Sequence, residues 1–249
     1  MSVIQAAIFD LGSTLLRFEG DWEAVIQEGR RALVRSLLSM GLPIDGLDFA
    51  DAFHHEMEAS LRERQEDFVE RLAGSVLRKV IRQYGIPEVS DELVRRALKD
   101  MFEISEGHWI LMPDVHAVLR ELQSDGLRLG VISNASDTDD VNRLIDGSDL
   151  RDYFDPILIS AEVGRRKPDP RLFNTVLRDW SLAPDQVVMI GDTLSHDILG
   201  AQNAGLRNIW LTAQADSALN RAYAGRIVPE AVASALREVP SLIRQMSAG

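Results

Sequence analysis

The chain has 249 residues, a formal net charge of -12 and no Cys. That acidic balance excludes a nucleic-acid groove, where phosphate contacts require a basic face. The absence of Cys excludes a disulfide framework and any thiolate metal site. No apolar run reaches membrane-spanning length, and the N-terminus reaches Asp10 without a basic leader, so no signal peptide and a cytoplasmic location are expected.

In chain order, Val3 to Phe9 is a short apolar run that predicts a buried strand, ended by Asp10. From Trp22 to Leu111 only helical periodicity is present. Val25, Ala32, Leu33 and Leu37 share one helix, closed by Gly41-Leu42-Pro43. Phe49, Phe53 and Met57 mark a second helix, and Phe68, Leu72, Val76 and Val80 a third. Ser90-Asp91-Glu92 caps a fourth, carrying Leu93, Ala97 and Leu98.

After Met112 the pattern alternates. Pro113-Asp114 opens a helix through Leu122, and strands are predicted at 127–132, 156–159, 187–190 and 208–211. Helices are predicted at about 137–146, 170–180 and 196–204, and the tail from Val228 to Met246 carries apolar residues at helical spacing. Such alternation argues for a Rossmann-like parallel α/β sheet covered on both faces. The expected organisation is an α/β core of residues 1–17 and 112–249, interrupted by an all-helical insert at 18–111.

Polar clusters follow the strands: Asp10 with Gly12, Ser13 and Thr14; Ser133-Asn134; Lys167 within Arg166-Lys167-Pro168-Asp169-Pro170; and Gly191-Asp192 through His196-Asp197. In a parallel sheet they meet at the carboxyl edge, where open α/β sheets bind ligands. Asp10 and Asp192 suit Mg²⁺, which takes one or two carboxylates with waters and phosphate oxygens. Lys167 is a point charge for a phosphoryl group, and Ser133 and Asn134 offer a hydroxyl and an amide. Taken singly, Ser-Asn is an ordinary helix cap, Lys-Pro-Asp-Pro a turn, and Asp197 a cap for the helix that Gly205 ends. Their order, each behind a strand, is what points to a site.

These motifs resemble the haloacid dehalogenase-like superfamily, in the subgroup with a helical cap inserted after the first strand. The matching residues are Phe9-Asp10-Leu11-Gly12-Ser13-Thr14-Leu15, Ile132-Ser133-Asn134, Lys167-Pro168-Asp169-Pro170, and Gly191-Asp192 with Asp197-Ile198-Leu199-Gly200-Ala201 and Ala204-Gly205. The resemblance implies a Mg²⁺-dependent phosphatase acting on a small phosphorylated metabolite, with no nucleic-acid or membrane partner. It implies Asp10 as the nucleophile that becomes an aspartyl-phosphate. Ser133 and Asn134 would hold the phosphate, and Lys167 would steady both it and Asp10. Asp10, Asp192 and the Gly12 carbonyl would bind Mg²⁺, with Asp197 supporting the metal directly or through water.

One position departs from the family pattern. Phosphatases of this family usually carry a second Asp two residues after the nucleophile, as acid and then base; here it is Gly12. Losing a general acid–base costs ~10²–10⁴-fold in rate. The readings left open are a phosphatase that obtains its proton elsewhere, a metal-independent dehalogenase, a carbon–phosphorus hydrolase using Lys79 or Lys99, and a non-catalytic phosphate-binding or regulatory protein. Elsewhere, His54-His55 with Glu58 has metal-like helical spacing but reads as a solvated helix face. Phe18, Trp22, His108 and Trp109 read as packing at the ends of the insert.

Overall fold

Residues 6–9 lack the alternation of a half-solvated strand, and each is wholly buried. Continuous apolar runs of this kind belong in sheets covered on both faces. In the computed structural model, which describes residues 2–248, they form β1 (Ala6–Phe9) inside a six-stranded sheet. Next come β2 (Leu16–Phe18), α1 (Trp22–Ser39), α2 (Gly46–Asp67), α3 (Ala73–Gln83), α4 (Asp91–Glu106) and β3 (Trp109–Leu111). The chain continues through α5 (Val115–Ser124), β4 (Arg128–Ser133), α6 (Thr138–Gly147), β5 (Ile157–Ile159), α7 (Ser160–Val163) and α8 (Pro170–Trp180). It ends with β6 (Val187–Gly191), α9 (Leu199–Ala204), β7 (Arg207–Leu211), α10 (Ala218–Tyr223), β8 (Ala231–Ala233) and α11 (Val239–Ala248).

The large sheet has the order β5-β4-β1-β6-β7-β8, and every pairing in it is parallel. From β1 the chain winds outward through β4 and β5, then returns to the other side of β1 and winds outward through β6, β7 and β8. The direction reverses at β1, and ligands of open α/β sheets bind at the carboxyl ends of strands beside such a reversal. Phe9 pairs with Val131 of β4 and with Ile190 of β6. Asp10, Ser133 and Asp192 therefore leave the same edge within a residue or two of one another.

The described residues form two compact units. The first comprises the chain up to Arg17, Ile110–Asn134 and everything from Ile145 onward. Its core packs Ile8, Ile132, Phe173, Val176, Trp180 and Met189 between sheet and helices. The second comprises Phe18–Trp109 together with Ala135–Leu144. It has an apolar core of its own, in which Leu33, Leu37, Phe49, Phe53, Leu77, Val80 and Leu98 interlock. Phe18, Trp22 and Trp109 pack edge to face, with ring centroids 4.8 to 6.3 Å apart. No helix among the described residues is long and apolar enough to cross a membrane.

The parallel α/β sheet and the helical segments agree with the sequence pattern, and four local features differ. Phe68 is not in the third helix: it closes α2 with a left-handed backbone (φ 54°), and α3 begins only at Ala73. Its apolar ring falls in phase with Leu72 and Val76, but the chain has already turned. The tail is not all helical, because Ala231–Ala233 adds the sixth strand, β8, beside β7. Three residues are too few for periodicity to register. The same shortness hides β2 and β3, which pair as a separate two-stranded sheet. Finally, the helix expected from 196 begins earlier, as a π-helical turn over Leu194–Ile198 that runs into α9. Turns of that kind recur at functional sites.

Candidate active site

Asp10 follows β1 directly, and its N–H donates to the Ile190 carbonyl of β6 at 2.9 Å. The carboxylate is thereby anchored at the strand end while the chain folds back: the N–H groups of Leu15 and Leu16 both reach the Leu11 carbonyl. Lys167 arrives from the far side of β4. Gly164, left-handed at φ 70°, ends α7, and Asp169 with Pro170 starts α8. The short connection between them brings the Lys167 side chain inward, where it is 1% exposed.

Burying an ammonium is costly unless it is paired, and Lys167 is paired twice. Its Nζ lies 2.5 Å from Asp10 Oδ1 and 2.6 Å from Asp197 Oδ1. Burial alone would depress its pKa, but the two carboxylates outweigh that and raise it. The other oxygen of Asp197 accepts the Thr193 N–H at 2.9 Å. Gly191 permits this approach, since a Cβ there would lie 2.4 Å from Asp197 Cγ.

Asp192 completes the group. Ligand oxygens of Asp10, Asp192 and Asp197 all lie within 4.8 Å of one another. Asp192 accepts a side-chain bond from Thr193 Oγ1 at 3.2 Å. Three carboxylates thus face one ammonium, leaving negative charge uncompensated. The pKa values record it. Burial, opposed by Lys167 and reinforced by Asp197, raises Asp10 to about 6. Burial together with Asp10 and Asp197 raises Asp192 to about 8. A hard divalent cation bound by oxygen donors relieves this excess, so the donor set fits Mg²⁺. Asp197 faces a donor on each side, the Lys167 ammonium at Oδ1 and the Thr193 N–H at Oδ2.

Ser133 ends β4 and is buried. The Asn134 side chain has a role the sequence reading did not assign to it. Its Oδ1 accepts the Lys167 N–H at 2.8 Å, and its Nδ2 donates to the Lys167 carbonyl at 3.1 Å. The amide therefore clasps the main chain that carries Lys167. His196, inside the π-helical turn, is held neutral: burial, with Arg166 and Lys167 nearby, lowers its pKa to about 4. His54 pairs with Glu58 at 3.4 Å on the partly exposed face of α2, and among the described residues it belongs to no group of potential metal ligands.

The model of the haloacid dehalogenase-like hydrolases matches residues 4–205, and the chain belongs to that family. It is similar to the glyceraldehyde 3-phosphate phosphatase of Pyrococcus furiosus, 24% identical over 84% of this chain and 81% of that protein. It is also similar to the phosphoserine phosphatase of Thermus thermophilus, 35% identical over 51% of this chain and 49% of that protein. Among solved structures, the 2-haloacid dehalogenase of Pseudomonas syringae is similar with a TM-score of 0.68, at 26% identity over 98% of this chain and 99% of that one.

Proposed function

We propose that this chain is a Mg²⁺-dependent phosphatase that hydrolyses a small phosphomonoester through an aspartyl-phosphate on Asp10. The observation that carries the reading is the carboxylate group of Asp10, Asp192 and Asp197 gathered around the buried Lys167. Asp10, at about 6, is ionised at neutral pH and able to attack phosphorus. Lys167 aligns it and neutralises the phosphoryl oxygens, aided by the Ser133 hydroxyl and the Asn134 main-chain N–H. Asp10, Asp192 and the Gly12 carbonyl would hold Mg²⁺, with Asp197 in support, and the ion would supply positive charge against the transferring group. The Asp10 oxygen–phosphorus bond forms as the ester oxygen leaves; water then attacks the acyl phosphate, releasing phosphate and restoring Asp10.

Gly12 carries no carboxyl to protonate the leaving oxygen, so the proton comes from solvent and esters of acidic alcohols react fastest. A second reading, carbon–halogen cleavage, draws on the same Gly12, since halide leaves without a proton, and on the likeness to a dehalogenase. The pairing of Asp192 with Asp197 favours phosphate chemistry, which needs the metal. A panel of aryl and alkyl phosphates with and without Mg²⁺ tests this. Turnover should require Mg²⁺, fall steeply as the leaving alcohol becomes less acidic, and vanish in Asp10→Asn. Chloride release from a 2-chloro acid in EDTA, with no phosphate turnover, would establish the second reading instead.

A further inference from the structure

Asn220 lies on α10 and Trp210 on β7, both beyond residue 205, where the family match ends. Asn220 is 4% exposed, and both N–H groups and the oxygen of its amide are hydrogen-bonded. Nδ2 donates to the Asp192 carbonyl at 2.9 Å and to the Ala215 carbonyl at 2.8 Å, while Oδ1 accepts the Leu194 N–H at 2.8 Å. Ser217 in turn fixes Asn220, accepting its N–H at 3.1 Å. Trp210 Nε1 donates to the same Asp192 carbonyl at 2.7 Å. The N–H of that peptide unit, from Thr193, donates to Asp197. Both ends of the peptide between Asp192 and Thr193 are therefore pinned, the carbonyl by two donors.

The Asp192 carboxylate itself is thinly held, by the 3.2 Å bond from Thr193. A side chain with one weak anchor takes its direction from its Cα, and here the Cα is placed by that peptide. We infer that Asn220 and Trp210 are positioning residues for the Asp192 carboxylate and so set the affinity of the site for a divalent cation. This inference rests on the Mg²⁺ reading above. It concerns main-chain placement: neither side chain reaches substrate or metal.

Asn208 separates this role from simple satisfaction of buried polar groups. It is also wholly buried on β7, but its amide serves Glu230, accepting the N–H at 3.0 Å and donating to the carboxylate at 3.3 Å. Neither bond involves Asp192 or its neighbours.

The test is Mg²⁺ titration by calorimetry on the full chain, with thermal unfolding in EDTA as the measure of fold. Partners that orient metal ligands are worth about 10–100-fold in metal affinity. Asn220→Ala should weaken Mg²⁺ binding by that factor. Trp210→Phe, which keeps the ring and removes one donor, should weaken it less. Asn208→Ala should lose stability and bind Mg²⁺ like wild type. Unchanged affinity in Asn220→Ala overturns the inference, and so does an equal loss in Asn208→Ala, which would mark general loosening. Should Asn220→Ala fail to fold, unchanged affinity in Trp210→Phe overturns it as well. A wild-type chain that binds no Mg²⁺ sinks the metal reading and this inference together, an outcome distinct from wild-type binding with insensitive variants.

Discussion

Lys167 is the residue on which the charge balance of the site turns. Its ammonium, 1% exposed, stands between Asp10 and Asp197. Removing one partner of a buried pair costs about 3–5 kcal/mol, because the remaining charge is left uncompensated. Carboxylates have an escape, since they take up protons. Lys167→Met should therefore lose the most stability above neutrality and regain much of it near pH 5, as Asp10, raised to about 6, protonates. Urea unfolding in EDTA at both pH values measures this; equal losses at the two would show that the ammonium does not compensate them. Phosphate-ester turnover should fall about 10²–10³-fold, the usual cost of one charge-stabilising donor. Residues of this rank, Asp10, Lys167, Asp192 and Asp197, were readable because the polar clusters that hold them each follow a strand in the sequence. Asn220 and Trp210 were not: their partners are main-chain atoms 18 to 28 residues away in sequence, and no spacing rule encodes that.

Among the elements, α6 is the one whose allegiance the sequence conceals. It follows β4 like any crossover helix, yet Ala135–Leu144 belongs to the helical unit. The Ala73 N–H donates to the Ser136 carbonyl at 2.9 Å, and Arg143 Nε reaches Glu106 of α4 at 2.6 Å. Asp140 joins that contact. Burial and the Glu106 carboxylate, against the pull of Arg143 and with Asp137 adding, raise its pKa to about 7 from the ordinary 3.8. The folded chain thus holds a proton that the unfolded chain has released. The stability from this proton is fully present below about pH 4 and is lost as pH rises through 7. Asp140→Asn keeps the shape and removes the titration, so its denaturant midpoint should vary less than wild type between pH 4 and 8. Parallel curves for the two proteins would refute the shared-proton account of this contact. The difference between the curves isolates Asp140, since Asp10 and Asp192 titrate in both.

For the whole molecule, two units with separate cores make single-transition unfolding a poor assumption. A ligand stabilises what binds it, by about 2.7 kcal/mol at a hundred times its Kd. Mg²⁺ should accordingly raise the transition of the sheet-bearing unit in calorimetric scans and leave Asp192→Asn unmoved; an equal rise in the variant would place the ion elsewhere. The sequence by itself determined the class of this protein. Strand-length apolar runs, each followed by polar residues, specify a parallel sheet with its chemistry on one edge, and periodicity is enough to find them. What only the tertiary structure decided is how that chemistry is held. Asn134 clasps Lys167, Asn220 and Trp210 clasp Asp192, and a short strand, β8, completes the sheet. The reason is physical: periodicity reports which face a residue buries, whereas a buried amide is satisfied by whatever main chain the fold brings within 3 Å.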